Sequence, residues 1–218
     1  MDRTDNGKKT VFLADDHALV REGLAALVEK TGQFTVVGQC GDGLDVVEQV
    51  TAAAPDVVLL DVGMPGLNGI DICRELGRKA PASAVLILSM HDGEEFIIRA
   101  LENGAKGYLL KESAGEELAE ALRVVAEGRR YLDPAIPGAL LAKLHKGIGD
   151  PYEKLTTRER QVLQLIAEGN TNKKVAEALQ LAVKTIDTHR MRLMRKLNIH
   201  DQTALVKFAV GRGIVSSS

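Results

Sequence analysis

The chain has 218 residues, enough for one large domain or two small ones, each with its own core. A hydrophobic content of 45% and a net charge of -2 describe an ordinary globular protein. Its two cysteines, Cys40 and Cys73, are too few for a disulfide framework and read as small buried hydrophobes. No apolar run approaches the ~20 residues of a membrane span. The polar start Met1-Asp2-Arg3-Thr4-Asp5-Asn6-Gly7-Lys8-Lys9 is not a secretory signal. A cytoplasmic protein without a membrane partner is expected.

The average charge conceals an asymmetry. Residues 1–150 carry 16 Lys and Arg against 24 Asp and Glu, a net -8, whereas residues 151–218 carry 12 against 6, a net +6. An acidic half joined to a basic half suits a sensory module carrying a nucleic-acid-binding segment.

In chain order, strand and helix patterns alternate up to residue 130, as an α/β sheet requires. Val11-Phe12-Leu13-Ala14 runs into Asp15-Asp16. Val57-Val58-Leu59-Leu60 runs into Asp61, Val85-Leu86-Ile87-Leu88 into Ser89, and Gly107-Tyr108-Leu109-Leu110 into Lys111. Continuous apolar runs belong to strands buried on both faces, hence to a parallel sheet covered by helices. Helix patterns lie at about 18–30, 44–54, 69–79 and 94–103, and another opens at Ser113-Ala114-Gly115-Glu116, which reads as a capping box, and runs to Ala126. A connector follows over 129–150, with a short helix expected at 139–146 and a hinge at Gly147-Ile148-Gly149-Asp150-Pro151.

The remainder reads as helical. A second capping box, Thr156 to Glu159, opens a helix ending at Gly169. Then come a short helix at about 172–179, a turn at Gln180-Leu181-Ala182, a longer helix at 183–197 and a last one at 202–210. Short helix, tight turn and longer basic helix make the helix-turn-helix arrangement. On the long helix, Ile186, Leu193 and Leu197 share the core face with His189 near them, and Lys184, Thr188, Met191 and Arg195 form another stripe. Five of its residues are Lys or Arg, against the single acid Asp187.

In open parallel sheets ligands gather beyond the carboxyl ends of the strands. Three acids, a hydroxyl and an ammonium would therefore meet at one sheet edge, and that constellation is a phosphoryl-acceptor site. A carboxylate can attack phosphorus to give an acyl phosphate. The rest of the task is neutralising charge on the equatorial oxygens. Crowded carboxylates favour a divalent cation, and Mg2+ accepts a few oxygen ligands plus waters. Any one of these residues alone is better read as a turn, cap or surface residue; it is the agreement of four strand ends that carries the reading.

Asp15-Asp16, Asp61 followed by Met64-Pro65-Gly66, Ser89 and Lys111 resemble the receiver domain of two-component response regulators. The resemblance implies a flavodoxin-like receiver with a five-stranded parallel sheet in order 2-1-3-4-5. It implies that Asp61 takes a phosphoryl group from a sensor histidine kinase, and that Asp16, Asp61 and the Gly63 carbonyl bind Mg2+ directly, with Asp15 acting through water. Lys111 would pair with the phosphoryl group. Ser89 and Tyr108 would form the switch pair, Ser89 moving to the phosphoryl oxygen and the Tyr108 ring following inward. Met90, where many receivers carry a small residue, is expected to shield the site in part and slow hydrolysis; the alternative is that it simply packs in a loop.

Leu155-Thr156-Thr157-Arg158-Glu159-Arg160-Gln161-Val162-Leu163, Asn172-Lys173-Lys174-Val175-Ala176, Lys184-Thr185-Ile186-Asp187-Thr188-His189-Arg190 and Arg195-Lys196-Leu197 resemble the LuxR-type DNA-binding domain. Together with the receiver they resemble the NarL/FixJ class of response regulators. The implied organisation is a receiver at 1–130, a linker at 131–152 and an all-α helix-turn-helix domain at 153–218. By the resemblance the helix at 183–197 enters the major groove of double-stranded DNA. Lys184, Thr185, Asp187, Thr188, Met191, Arg192 and Arg195 are the candidate contacts. Asp187, Thr188 and Met191 suit base edges, while Lys184, Arg192 and Arg195 suit phosphates. Ala182 stands where the family often has a capping Ser. The last helix, through Leu205 and Val206, would contribute to a homodimer formed on phosphorylation or DNA binding, and RNA polymerase is a further partner the reading allows.

The expected function is a phosphorylation-controlled transcription regulator rather than an enzyme. The alternative is a Mg2+-dependent phosphohydrolase using Asp61 as nucleophile, with a basic targeting domain. The alternative lacks an evident general acid/base.

Overall fold

The computed structural model describes residues 7–138, 140 and 151–215. The first half is a parallel sheet with helices on both faces. In chain order it comprises β1 (Lys9–Ala14), α1 (Ala18–Lys30), β2 (Phe34–Cys40), α2 (Val46–Ala53), β3 (Val57–Asp61), α3 (Gly69–Lys79), β4 (Ala84–Ser89), α4 (Glu94–Glu102), β5 (Gly107–Leu110), α5 (Ala114–Ala126) and β6 (Tyr131–Leu132). The sheet order is β2-β1-β3-β4-β5-β6.

The apolar runs are continuous because each strand feeds two cores. Phe12, Val58, Leu60 and Ile87 face the helices α2, α3 and α4, while Val11, Leu13, Leu59 and Leu88 face α1 and α5. Successive side chains point to opposite faces, so burial of both leaves no polar alternation.

Two expectations are corrected. The sheet has a sixth strand: Tyr131–Leu132, in the segment read as connector, pairs in parallel with β5, Tyr108 opposite Leu132. Two residues carry too little pattern to be read as a strand. The Asp133 amide then donates to the Tyr108 carbonyl, and Ile136 and Leu140 pack into the α4-side core. Second, Ser113 makes no side-chain cap, because a 3-10 turn over Lys111–Ser113 leads straight into α5 and Ser113 itself has a helical backbone (φ -85°, ψ -9°). A capping residue must be extended. The short helix and hinge expected at 139–150 lie outside the described residues.

The second half contains a 3-10 turn (Pro151–Lys154), α6 (Thr157–Ala167), α7 (Asn172–Ala178), α8 (Val183–Leu197) and α9 (Gln202–Gly211). The capping box of α6 forms in full, Thr156 accepting from the Glu159 amide and Glu159 from the Thr156 amide. Ile186, Leu193 and Leu197 of α8 reach a core shared with Tyr152, Leu163, Ile166, Val175 and Leu205. Leu205 is fully buried in the core of its own domain, and Val206 beside it is half-buried.

The two halves pack together, with α6 lying against α3. Asp71 of α3 forms an ion pair with Arg160 of α6 and accepts a hydrogen bond from the Tyr152 hydroxyl, all three side chains being buried. The Thr157 hydroxyl donates to Glu75 at 2.5 Å. From α4, Arg99 donates to the carbonyl of Arg212 at 2.8 Å.

Candidate functional site

The carboxyl ends of β1, β3, β4 and β5 bring Asp15, Asp61, Ser89 and Lys111 to one edge of the sheet. The register explains this: Leu60 lies beside Ala14, Asp61 beside Leu88, and Ser89 beside Leu110. Each functional residue therefore sits at or just past the end of its strand.

Lys111 is the centre of the site. Its Nζ lies 2.7 Å from Asp15 Oδ2 and 3.1 Å from Asp61 Oδ1. Burial alone would lower the Lys111 ammonium, but bonding to Asp15 and the Asp61 charge outweigh it and hold the group above its ordinary value. It stays a cation. Burial pushes the Asp61 carboxyl up; Lys111 and the Gly63 amide pull it down, Asp15 adds to the rise, and the net position is above an ordinary carboxylate. Asp61 is only 5% exposed. Asp16 stands outside this pair, exposed, with its carboxylate 2.6 Å from His17 Nδ1.

The donor set fits Mg2+. Asp15 and Asp16 with His17 bring three ligand atoms within 4.8 Å of one another. One ammonium does not balance the three carboxylates. Gly63 is also shaped for close approach, since a Cβ there would lie 3.2 Å from Asp61 Oδ2. Hard oxygen donors in a site short of positive charge suit a small divalent cation. His17 was not foreseen; its place directly after Asp15-Asp16 was the available signal.

Both members of the expected switch pair are buried. Ser89 is fully buried and accepts from the His91 amide at 3.0 Å. Tyr108 is already turned inward, fully buried, its hydroxyl donating to the His91 carbonyl at 2.7 Å. Burial pushes its phenol up to about 12, so it remains a donor. Met90 is 65% exposed beside Ser89.

On the basic domain, Lys184, Asp187, Thr188, Met191, Arg192 and Arg195 are all exposed along α8, with Thr185 half-buried. Docking on the receiver leaves this face open. Asp187 accepts from Asn172 Nδ2 at 2.7 Å, and Arg190 donates to the Asn172 Oδ1 at 3.2 Å. These bonds tie α8 to α7. Ala182 is extended (φ -72°, ψ 144°) and caps α8 with no side-chain bond. What sequence reasoning missed is the joint: Gln164 donates to the Met64 carbonyl and accepts from the Asn68 amide, both on the loop after Asp61.

Comparison with known proteins agrees with this geometry. Residues 11–123 match the family described as response regulator receiver domain, and residues 153–209 match bacterial regulatory proteins of the luxR family. The DNA-binding transcriptional activator DevR/DosR of Mycobacterium tuberculosis is 41% identical, covering 91% of this chain and 93% of its own. The oxygen regulatory protein NreC of Staphylococcus carnosus is 35% identical over 94% and 98%. The solved response regulator RcsB of Salmonella typhimurium is 26% identical and superposes with a TM-score of 0.55 over 94% of this chain and 99% of that one, and RcsB has also been solved with DNA. These matches favour a regulator over a phosphohydrolase. The chain belongs to the NarL/FixJ family of two-component response regulators, with a receiver followed by a LuxR-type DNA-binding domain.

Proposed function

We propose that Asp61 is the phosphoacceptor, that its modification is supported by Mg2+, and that it governs binding of α8 to a specific double-stranded DNA site. The observation that carries this is Lys111 bridging Asp15 and Asp61, which places a fixed cation where a transferred phosphoryl group acquires charge. An Asp61 carboxylate oxygen attacks the phosphorus of the kinase phosphohistidine. The P–N bond breaks and its electron pair returns to the imidazole. Mg2+, held by Asp16, Asp61 and the Gly63 carbonyl with Asp15 acting through water, would supply charge neutralisation. Lys111 holds a phosphoryl oxygen, the Ser89 hydroxyl donates to another, and buried Tyr108 keeps the Ser89–His91 turn in place. Met90 covers the product from water, and Met90→Ala should speed its hydrolysis.

The DNA face is Lys184, Thr185, Asp187, Thr188, Met191, Arg192 and Arg195. Because docking leaves it open, control does not consist of uncovering α8. Phosphorylation instead shifts the balance between docked and separated domains, and separation lets two copies of the chain align on half-sites about one helical turn apart. The organisation we adopt is receiver, linker and DNA-binding domain with limits near 130 and 153, in a cytoplasmic protein.

The test is intact-protein mass after incubation with Mg2+ and phosphoramidate, comparing wild type with Asp61→Asn. One added phosphoryl group, lost in the variant, is expected. A folded wild type that takes none under any donor would overturn the assignment.

A further inference from the structure

Lys111 and His17 divide the Asp15 carboxylate between them. Lys111 Nζ lies 2.7 Å from Oδ2, whereas Oδ1 accepts from the His17 amide at 2.8 Å and lies 3.4 Å from His17 Nδ1. The same ring nitrogen is 2.6 Å from Asp16 Oδ1. One imidazole nitrogen and two carboxylate oxygens therefore converge, each from a different residue. Asp15 is 1% exposed and the His17 side chain 67%, so the cluster is anchored inside the receiver and open to solvent on its outer side.

The backbone fixes these groups. The Asp15 amide donates to the Cys40 carbonyl at 3.2 Å, Arg21 Nη1 donates to the Asp15 carbonyl at 2.5 Å, and the Arg21 amide donates to the His17 carbonyl at 3.1 Å. His17 holds the N-cap position of α1, yet its side chain makes no capping bond. The imidazole is turned on the two acids instead. Distances of 2.6 and 3.4 Å straddle the separation of neighbouring ligands around an octahedral ion, about 3 Å for metal–ligand bonds of ~2.1 Å. A hydrogen bond to Asp16 alone accounts for the shorter distance but not for the approach to Asp15.

Donor type decides which ion such a set prefers. Mg2+ takes oxygen ligands and keeps several waters, whereas imidazole suits first-row transition ions. We propose that His17 Nδ1 is a ligand of the cation site and makes it selective for a first-row transition ion, such as Mn2+ or Co2+, over Mg2+. This rests on the cation reading of the acceptor site given above, and it names the residue that sets which ion is preferred. His17 gives the Nδ1 lone pair in place of one water and keeps its ring proton on Nε2, on a side chain that is mostly in solvent. The carboxylates serve either ion; only the nitrogen discriminates.

The experiment uses the full chain, unphosphorylated, with two readouts. Pulsed electron paramagnetic resonance on the Mn2+-loaded protein detects a directly bound imidazole nitrogen, and labelling the chain with 15N-histidine assigns the signal to histidine. Calorimetry with Co2+ and with Mg2+ gives the ratio of the two affinities. Wild type should show the histidine nitrogen coupling, and His17→Gln should lose it. The Co2+ to Mg2+ affinity ratio should fall about tenfold or more in the variant, the scale on which even the outer partners of metal ligands act. The wild-type nitrogen signal needs no variant, so a folding defect in His17→Gln leaves the ligand assignment testable. Mn2+ bound without nitrogen coupling, or an affinity ratio equal in both proteins, would overturn the proposal. If wild type bound none of the three ions, the cation reading of the acceptor site would fail and this inference with it; phosphoryl uptake with Mg2+ but no nitrogen coupling would sink only the role of His17.

Discussion

Asp71 and Arg160 form an ion pair that crosses the joint between the receiver and the DNA-binding domain, and both residues are only 2% exposed. Asp71 also accepts from the Asn68 side-chain amide, and Asn68 touches Gln164, so the pair belongs to the same network that holds the loop after Asp61. Arg160 lies 4.4 Å over the Tyr152 ring and donates to the Leu155 and Tyr152 carbonyls within its own domain. It is therefore positioned before docking, and Asp71 completes it.

Removing one partner of a buried pair leaves an uncompensated charge, a cost of about 3–5 kcal/mol, whereas replacing both by apolar residues is often neutral. Asp71→Ala should separate the domains and raise the radius of gyration in small-angle scattering. The double change Asp71→Leu with Arg160→Met should return it toward the wild-type value. An unchanged radius in the single variant would show that other contacts, such as Thr157 with Glu75, hold the joint unaided.

The raised position of Asp61 has two consequences with definite sign. The nucleophile is the ionised form, so phosphoryl incorporation should fall on acidification at a pH above that at which an ordinary aspartate is protonated. For stability, an acid raised in the folded state contributes below its unfolded value and loses that contribution as pH rises through the folded value. At neutral pH the ionised Asp61 is a net cost. Asp61→Asn should melt higher than wild type at pH 7, with the gap closing toward acid pH in thermal scans. A lower melting temperature for the variant at pH 7 would contradict this.

Much of the acceptor site could be read from the chain because its chemistry sits at strand ends, where a continuous apolar run stops at Asp61, Ser89 or Lys111. Parallel strands in register then force those ends together. The helix-turn-helix was legible for a related reason, the single core stripe of Ile186, Leu193 and Leu197. The joint was not. In α6, Val162, Leu163 and Ile166 mark one apolar face, and Arg160 and Gln164 read as solvated positions. Their partners lie partly in the receiver, Asp71 for Arg160 and Met64 and Asn68 for Gln164, and no local pattern announces a polar surface that is satisfied by another domain. The partner of Tyr108 was hidden similarly, since the His91 carbonyl is reached only across the loop after β4.

Ala182 begins α8 with the extended backbone of a capping residue but without an oxygen to offer the helix amides. It is exposed, so a hydroxyl fits without repacking. Ala182→Ser should stabilise the DNA-binding domain by about 1 kcal/mol, read as a higher denaturant midpoint with an unchanged slope. An unchanged or lower midpoint would mean that water already satisfies those amides well enough.

On α8, Met191, Arg192 and Arg195 stand exposed, and Asp187 is tied to Asn172. Met191, 71% exposed and apolar, is suited to a thymine methyl rather than to a phosphate. Arg195→Ala should weaken binding to all sequences alike and lower the slope of log affinity against log salt by about 0.9, the loss of one phosphate contact. Met191→Ala should leave that slope alone and reduce discrimination at one base position. Binding titrations at several salt concentrations, on a selected site and on a scrambled one, separate the two. Loss of discrimination from Arg195→Ala without a change in slope would reverse the assignment and place the guanidinium on a base edge.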